Sequence, residues 1–330
     1  MSNILIFGAG SMGTAFSFPC SDKNHSVTIV GTHLEDSFIE QINLKKVHPT
    51  LECDIPKNVK FSKFEQLQEI INKKVDLIVV AVSSKGIEWA SIELSRALKQ
   101  NIPILILTKG LAINNNNYEV LAHKMERLLK INGIKETNIS AAGGPCLAKE
   151  LANRVHTSVV FANKNIEIVD KIKNIVSTDY YHISLSNDVV GVEICAAIKN
   201  IFAMAVGSAK NLNTAAALLQ QSLYEMIIFT EKLKGKKETV LGLSGVGDLY
   251  VSVDGGRNSK MGKFLGQGIT FKEAKKTKMP YDTVEGADLA LEIGSQVKKD
   301  FDPKTLPLMT SVIDTICSEK PLIINWNFFK

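Results

Sequence analysis

Lys199 is an isolated charge in a long apolar stretch. It is the only charged residue between Glu193 and Lys210. Burial lowers the pKa of a lysine, and a lysine with a lowered pKa can give a proton to a carbonyl oxygen that is being reduced. Lys199 is therefore a candidate proton donor. The alternative is a structural lysine whose head group reaches past its neighbours to solvent.

Asp248 is isolated in the same way. It is the only charged residue between Glu238 and Asp254, in a segment rich in glycine. An aspartate in such a position either caps a helix or pairs with a buried cation. Lys199 is the obvious candidate for that cation, so the two residues together form a candidate catalytic pair.

Two further cations stand where an anionic ligand could bind. Arg257 and Asn258 follow Gly256 in a turn that leads into a predicted helix, and an arginine beside helical amides suits a phosphate or a carboxylate. A surface arginine after a glycine turn is the alternative. Lys109 follows a predicted strand at 104–107, and ligands bind at the carboxyl ends of such strands, so we expect Lys109 near a nicotinamide.

A glycine-rich loop follows the first apolar run of the chain. It reads Gly8, Ala, Gly10, Ser11, Met12, Gly13, and it leads into a segment that can begin a helix. In dinucleotide-binding folds the three glycines give a tight turn, close approach to a pyrophosphate, and close packing of helix on strand. Because the loop follows a strand directly, the pattern predicts a dinucleotide site.

The residues after the second predicted strand, at 27–30, do not identify the cofactor. An acid at this point pairs with a ribose hydroxyl of NAD, whereas a basic residue accepts the 2′-phosphate of NADP. The sequence has Thr32 and His33 instead. Both can hydrogen-bond a ribose or a phosphate, and His33 can also be a plain surface turn residue. The choice between NAD and NADP stays open.

The candidate residues lie in two regions of different predicted structure, an α/β region and a helical region. Up to residue 187, β-rich runs alternate with helical stretches, which predicts a parallel sheet with strands at 4–7, 27–30, 75–82, 104–107, 139–142, 157–161 and 181–185. Long helical stretches follow, first at 189–210 and 214–232. We therefore predict an α/β fold with a Rossmann-type dinucleotide-binding domain at 1–187 and a mostly α-helical substrate and catalytic domain at 188–330.

Composition excludes several classes of protein. The chain has 330 residues, 45% of them hydrophobic, and 39 Lys and Arg against 34 Asp and Glu, which excludes a disordered protein and does not indicate a nucleic-acid binder. Five cysteines without a CxxC pair favour reduced thiols in a cytosol. We expect neither a signal peptide nor a membrane span, and no metal, because no histidine pair has ligand spacing.

Seven short motifs, in order along nearly the whole chain, resemble those of the NAD(P)-dependent glycerol-3-phosphate dehydrogenases of archaea and bacteria. They are GAGSMGTA at 8–15, KGL at 109–111, GPCLAKE at 144–150, GVEICAAIKN at 191–200, GLSGVGDL at 242–249, GRN at 256–258 with GQG at 266–268, and VEG at 284–286. The resemblance implies interconversion of dihydroxyacetone phosphate and sn-glycerol 3-phosphate, for phospholipid synthesis. Because the second domain is predicted to be mostly helical, we expect a homodimer. The resemblance also implies that Lys199 is the acid and base, supported by Asp248, with Lys109 as a second lysine.

The resemblance implies further ligand contacts. The substrate would contact Lys109, Gly144, Cys146, Lys199, Asp248, Gly256, Arg257 and Asn258, and the cofactor would contact Gly8, Gly10, Ser11, Met12, Gly13, Thr32, His33, Lys109, Ala148, Arg257 and Glu285. Four positions depart from the bacterial pattern: Cys146, Gly256, Ala215 and Gln221. Loss of hydroxyls at 146 and 256 would weaken phosphate contacts or change the substrate. Two alternatives stay open: a related opine or hydroxy-acid dehydrogenase, because Arg257 could also bind a carboxylate, and a dinucleotide sensor without enzymatic activity.

Overall fold

The structure is a computed structural model that describes residues 1–329. The chain folds into two compact units, one of residues 1–109 and 121–189 and the other of residues 110–120 and the chain from 190 onward. Each unit is built around its own hydrophobic core.

The first unit is an α/β unit. Its strands are β1 (Asn3–Phe7), β2 (Ser26–Val30), β3 (Val47–His48), β4 (Cys53–Asp54), β5 (Val59–Ser62), β6 (Leu77–Val80), β7 (Ile104–Ile106), β10 (Ile139–Gly143), β11 (Thr157–Ala162) and β12 (Tyr181–Ser186). Its helices are α1 (Ser11–Asp22), α2 (Asp36–Lys45), α3 (Leu67–Ile71), α4 (Ile87–Ala97), α5 (Leu121–Ile131), α6 (Ala148–Ala152) and α7 (Ile166–Val176).

The second unit is mainly helical. It contains a hairpin of β8 (Leu111–Asn114) and β9 (Asn117–Val120), followed by α8 (Val189–Gly207), α9 (Leu212–Lys232), α10 (Lys237–Leu241), α11 (Asp248–Val253), α12 (Arg257–Gly266), α13 (Phe271–Thr277), α14 (Glu285–Asp300) and α15 (Pro307–Ser318). A single π-helical turn, Leu243–Gly247, joins α10 to α11.

The main sheet has the strand order β12-β11-β10-β7-β6-β1-β2-β5. All seven predicted strands are present, with ends that differ by a few residues, and the sheet is parallel apart from the β10–β11 pair, which is antiparallel. The connection between these two strands contains only the short helix α6, and an antiparallel pair needs no long crossover. Every residue of β6 is buried, as expected for a strand covered on both faces.

The sheet has a topological switch point at β1. This strand lies between β2 and β6, so the chain after β1 leaves the sheet where the strand order reverses direction. In open α/β sheets the crevice outside the carboxyl ends of the strands at such a point is where ligands bind. The glycine loop follows β1 directly and occupies this position.

The strands β3, β4 and β5 and the hairpin at 110–120 were not predicted. The hairpin lies within the predicted first domain, 1–187, but the structure places it in the second unit. Its two apolar ends, Leu111 and Val120, are each 4% exposed and belong to the core that the helices of that unit form. The predicted boundary at 187/188 therefore does not hold for residues 110–120, which belong to the second unit.

Helix α8 is the central helix of the second unit. It is long and apolar enough to span a membrane by length and composition, with a mean hydropathy of 1.9, which the sequence analysis did not expect. However, 94% of the apolar window is buried inside the protein. Burial of this kind is typical of a core helix, so α8 is only weak evidence for a membrane span.

Candidate active site

The glycine loop is shaped by backbone packing at its first and third glycines. Gly8 has a φ of +112°, and a Cβ atom there would lie 2.8 Å from the backbone of Ala81. A Cβ atom on Gly13 would lie 2.4 Å from the Gly8 carbonyl oxygen. By contrast, a Cβ atom on Gly10 would meet no atom within 4 Å. The first and third glycines thus allow close packing of the backbone, whereas the absence of a side chain on the second leaves the surface above the loop open.

That open surface lies at the start of α1. Ser11 and Met12 are the first residues of the helix, and its cap, Gly10, offers no side-chain acceptor to the amides of the first turn. Amides in the first turn of a helix have no partners within the helix and favour an anion. The residues present therefore fit the pyrophosphate of a dinucleotide, although their contacts with a cofactor stay a prediction.

An acid reaches the end of β2 from further along the chain. The Oε2 atom of Glu35 accepts hydrogen bonds from the Thr32 amide at 2.7 Å and from the Ala9 amide at 3.3 Å. The residues directly after β2, Thr32 and His33, include no acid, so this carboxylate was not predicted. The Thr-x-x-Glu spacing of a capping box was the available signal.

His33 is exposed, and its ring is in contact with aromatic neighbours. The centroid of its imidazole lies 4.7 Å from that of Trp89, and Trp89 also packs on Phe64 with centroids 5.0 Å apart. The ring thus belongs to an aromatic cluster beside the end of β2. Its predicted contact with the cofactor stays a prediction.

Lys109 and Gly144 are brought together at the carboxyl ends of β7 and β10. The Lys109 ammonium donates a hydrogen bond to the Gly144 carbonyl oxygen at 3.2 Å. Gly144 has a φ of +100°, a backbone conformation that favours glycine. Cys146 follows in a partly buried position, and Ala148 begins α6. These predicted site residues therefore cluster at the sheet edge where ligands bind.

Lys199 and Asp248 form a buried ion pair. The Lys199 Nζ atom lies 2.5 Å from Asp248 Oδ1, and the two residues are 7% and 2% exposed. Nζ also donates to the Ser252 hydroxyl at 2.6 Å, and that hydroxyl donates to the Asp248 carbonyl oxygen at 2.8 Å. The isolated charges of the sequence are thus partners. Ser252, one helical turn after Asp248, is a member of the cluster that the sequence analysis missed.

The π-helical turn Leu243–Gly247 positions Asp248 at the first residue of α11. A Cβ atom on Gly245 would lie 1.9 Å from the Val240 carbonyl oxygen, so the close turn requires glycine there. Single π turns inside helices occur frequently at functional sites. Within residues 1–329, the buried Ser244 hydroxyl of this turn has no hydrogen-bond partner.

Gly256, which departs from the bacterial pattern, has a steric explanation. A Cβ atom at this position would lie 2.7 Å from the carbonyl oxygen of Ser252. Any larger residue would therefore press on the residue that accepts a hydrogen bond from Lys199. Gly256 also caps α12, whose first turn contains no acidic residue.

Arg257 and Asn258 begin α12 and have different surroundings. Arg257 is half exposed and forms an ion pair with Glu285, the residue that the resemblance places near the cofactor. Asn258 is 6% exposed, donates to Asn200 Oδ1 at 3.0 Å, and accepts from the Gly286 amide at 2.9 Å. The Arg257 guanidinium is therefore accessible to an anion, whereas the Asn258 amide is engaged within the protein.

The other departures lie in α9. Gln221 is fully buried and donates a hydrogen bond to Glu225 Oε1 at 3.1 Å, and Ala215 packs against the core. Glu225 also accepts from the amides of Leu308 and Met309 at the start of α15. Burial raises the pKa of Glu225 to about 7 despite these three donors. In this chain, position 221 therefore belongs to a buried polar network.

The chemistry available to the site follows from these groups. The first unit offers a loop and a helix start that suit a dinucleotide, and the second unit offers a buried ammonium group held by an acid and a hydroxyl. Among residues 1–329, no group of three or more His, Cys, Asp or Glu side chains could hold a metal ion. The residues fit a nicotinamide-dependent dehydrogenase with a lysine as proton donor.

Comparisons with known proteins identify the family of the chain. The chain matches the family described as NAD-dependent glycerol-3-phosphate dehydrogenase, its N-terminus over residues 3–169 and its C-terminus over 188–324. It is 30% identical over 311 residues to an NADP(+)-dependent glycerol-3-phosphate dehydrogenase of Archaeoglobus fulgidus, covering 90% of this chain and 91% of the relative. It is also 31% identical over 305 residues to a glycerol-3-phosphate dehydrogenase, NAD(P)+, of Francisella tularensis subsp. mediasiatica, covering 90% and 88%.

A solved structure has the same fold. The crystal structure of glycerol-3-phosphate dehydrogenase from Coxiella burnetii matches 97% of this chain and 96% of its own, with a TM-score of 0.83 and 24% sequence identity. The two family matches together span most of the described residues, and both concern the same enzyme family. The chain belongs to the NAD-dependent glycerol-3-phosphate dehydrogenase family.

Proposed function

We propose that the protein is a glycerol-3-phosphate dehydrogenase that interconverts dihydroxyacetone phosphate and sn-glycerol 3-phosphate with NAD or NADP. The observation that supports this most is the buried cluster of Lys199, Asp248 and Ser252. Family membership and the names of the relatives support the substrate. The site and the family together support this function, because proteins of one fold can catalyse many different reactions.

Proton transfer is the task of Lys199. In the direction of reduction its ammonium group gives a proton to the oxygen at C2 of the substrate, and in oxidation the neutral amine takes that proton back. Asp248 and Ser252 hold Nζ in one place by hydrogen bonds of 2.5 and 2.6 Å. When bound, the nicotinamide supplies or accepts the hydride.

Arg257 and the amides at the start of α12 bind the phosphate of the substrate. An arginine forms two parallel hydrogen bonds with a phosphate, and the unpaired amides of the first turn favour the same charge. Glu285 neutralises Arg257 in this structure, so phosphate binding exchanges one anionic partner of the guanidinium for another. Lys109, whose Nζ lies beside the Gly144 carbonyl, is the second cation that we assign to the substrate.

Initial rates test the proposed reaction. Dihydroxyacetone phosphate should be reduced with NADH or NADPH, and the same preparation should leave pyruvate and other 2-oxo acids unreacted. Arg257 can also bind a carboxylate, so this contrast separates the proposed enzyme from a hydroxy-acid dehydrogenase. Turnover of a 2-oxo acid without turnover of dihydroxyacetone phosphate would overturn the proposal.

We extend the proposal to the setting of the enzyme. The product sn-glycerol 3-phosphate is the backbone of phospholipids, and we assign the protein to their synthesis in the cytoplasm. Within residues 1–329 none of the five cysteines forms a disulfide, which supports a reducing compartment. We assign dinucleotide binding to the first unit, and proton transfer by Lys199 and phosphate binding by Arg257 to the second. We also propose a homodimer, which sedimentation equilibrium can test.

A further inference from the structure

A cavity of about 370 Å³ lies on one face of the main sheet, within the first unit. Its walls are formed by β1, β2 and β5 and by residues 66–75, which include the short helix α3. Pockets for small molecules commonly have volumes of about 300–1,000 Å³. We propose that this sheet-face cavity is a second ligand site, which binds a small organic phosphate.

The two faces of these strands differ in polarity. The face toward α1 and α2 carries apolar side chains of the core, among them Val27 and Phe61. On the opposite face the strand register aligns Leu5 of β1 with Thr28 of β2, and Thr28 with Lys60 of β5. Parallel strands that are covered by helices on both faces are usually apolar on both. The polar face therefore needs an explanation other than packing.

The covering helix is too short to close this face. α3 has five residues, which is about 7.5 Å along its axis. Its buried residues, Leu67 and Ile71, pack within the unit, whereas Ile70 borders the cavity together with the buried Leu5. The cavity thus has apolar side chains beside the polar residues of β2 and β5.

The hydroxyl groups in the cavity have no partners within the protein. Ser26, Thr28 and Ser62 are partly buried, and all three line the cavity. Within residues 1–329, their hydroxyls form no hydrogen bond, and neither does the side chain of Gln66 at the edge of the cavity. Polar groups that are removed from bulk water are normally hydrogen-bonded. These hydroxyls are therefore available to a ligand.

The charged residues of the cavity include one lysine without an acidic partner. Lys73 pairs with Glu69 at 2.7 Å, and Lys74 lies 3.9 Å from Asp76. In the described part of the chain, Lys60 forms no ion pair, although it lines the same cavity. The positive charge at Lys60 is thus not compensated by a nearby carboxylate, and it favours an anionic ligand.

A phosphate ester matches these groups. A phosphate monoester carries about −2 charge at neutral pH and three oxygens that accept hydrogen bonds. Lys60 supplies a cation of the kind that binds phosphate as a point charge, and the hydroxyls of Ser26, Thr28 and Ser62 supply further donors. The organic part of the ligand can contact the apolar side chains of the cavity. A carboxylate has fewer acceptor oxygens and would use fewer of these donors.

The sheet-face cavity is separate from the residues predicted to bind the dinucleotide. The glycine loop, Thr32 and His33 do not line it. In β1 the cavity begins at Asn3, four residues before Phe7, which is about 13 Å along a strand. The glycine loop follows Phe7, so a phosphate near Asn3 does not occupy the position of the dinucleotide pyrophosphate. The inference therefore goes beyond the proposed reaction.

NMR titration of the full-length, ¹⁵N-labelled protein tests the proposal, with inorganic phosphate and with sn-glycerol 3-phosphate as probes. We expect saturable shifts of the Ser26 and Thr28 amide signals with at least one probe. Lys60→Gln should raise the Kd measured at these amides by about 10-fold or more, because it removes a charged hydrogen bond. Lys57→Gln removes an exposed charge three residues away, outside the cavity, and should leave that Kd unchanged.

A second variant tests the hydroxyls. Thr28→Val keeps the size of the side chain and removes its donor, so the Kd at the cavity should rise by about 3-fold or more. If this variant does not fold, Ser62→Ala replaces it, with the same expected increase. Sodium chloride at matched ionic strength is the control for screening of the lysines.

The remaining outcomes would overturn the proposal. They are the absence of saturable shifts at both amides with both probes, equal shifts with sodium chloride, and an unchanged Kd in Lys60→Gln. The amides of Gly256 and Arg257 report separately on the phosphate of the proposed reaction. A lack of response there to sn-glycerol 3-phosphate would count against the proposed function, and it would leave the result at the sheet-face cavity unaffected.

Discussion

The Lys199 ammonium lies 2.5 Å from the Asp248 carboxylate, and neither residue is more than 7% exposed. Two buried charges are expensive to remove from water, and their attraction compensates for that cost only when the geometry is good. The Ser252 hydroxyl gives Nζ a further partner at 2.6 Å. The arrangement keeps an ammonium group in an apolar helix at one defined position.

Replacement of Lys199 should abolish catalysis. We expect Lys199→Met to lower kcat by about 10²–10⁴-fold, the usual contribution of a positioned acid and base. The single variant also removes the ammonium group that the buried Asp248 carboxylate pairs with, and breaking a buried ion pair costs about 3–5 kcal/mol of folding stability. The double variant Lys199→Met with Asp248→Asn removes both charges, so it should be inactive yet melt closer to the unmodified protein. An active double variant would exclude Lys199 as the proton donor.

The Ser252 hydroxyl should position the ammonium group rather than bind substrate tightly. Ser252→Ala removes one hydrogen bond to a charged group, worth about 1.5–3 kcal/mol, and we expect a fall in kcat of about 10-fold or more with little change in KM. Ser252→Thr restores the hydroxyl and should restore most of kcat. Steady-state kinetics across pH checks this, and a KM effect without a kcat effect would contradict it.

Replacement of the second glycine of the loop, Gly10, should weaken dinucleotide binding without lowering the stability of the fold. Gly10→Ala meets no atom within 4 Å, so its melting temperature should stay unchanged while the Kd of the dinucleotide rises, by about 10-fold or more. Gly13→Ala is the matched comparison. Its Cβ atom would lie 2.4 Å from the Gly8 carbonyl oxygen, and we expect a loss of stability of about 1–3 kcal/mol. Melting curves and NADH titrations separate the two effects, and equal stability losses would contradict this division.

Arg257 should control the affinity for a phosphorylated substrate. Loss of a charged hydrogen bond costs about 1.5–3 kcal/mol, so Arg257→Ala should raise the KM for dihydroxyacetone phosphate by about 10-fold or more. Lys260→Ala removes an exposed cation from the same helix, where it pairs with Asp282, and should leave KM close to its original value. An unchanged KM in the Arg257 variant would remove Arg257 from the phosphate site.

The buried Glu225 should make stability depend on pH. Because its pKa rises from 4.5 to about 7 on folding, the folded state holds a proton that the unfolded state has lost between these values. Folding stability from this group is complete below about pH 4.5 and decreases as the pH rises to about 7, by an amount on the order of 3 kcal/mol. Glu225→Gln should lack this decrease, whereas Glu231→Gln, at an exposed position of the same helix, should retain it. Denaturant unfolding at several pH values measures it.

The residues that sequence patterns placed correctly owe their position to strong local rules. The glycine loop follows a short strand at fixed spacing, and an isolated charge inside an apolar helix needs a partner, so Lys199 and Asp248 could be paired in advance. Ser252 could have been found from its i+4 spacing to Asp248 on one helix face. These features depend on few residues close together in the chain.

The features that were missed depend on distant or indirect geometry. Glu35 accepts hydrogen bonds from the amides of two different segments. The Thr-x-x-Glu spacing indicates the bond from Thr32, whereas the bond from Ala9 depends on the path of the glycine loop. The antiparallel direction of β11 depends on the path of the chain between β10 and β11. Residues 144–156 contain only the short helix α6, which is too short for a parallel crossover. Whether Leu111 and Val120 join one core or the other is decided by packing, which the alternation of apolar residues does not encode.

Because of the hairpin at 110–120, the residues of the helical unit leave the ribosome in two separate parts during synthesis. On the ribosome the hairpin residues emerge long before α8, while the core that receives Leu111 and Val120 does not yet exist. The α/β unit has all of its residues once Val189 has left the ribosome, so it can fold first around an unplaced hairpin. The helical unit must then form its core around two residues, Leu111 and Val120, that left the ribosome well before the rest of that core.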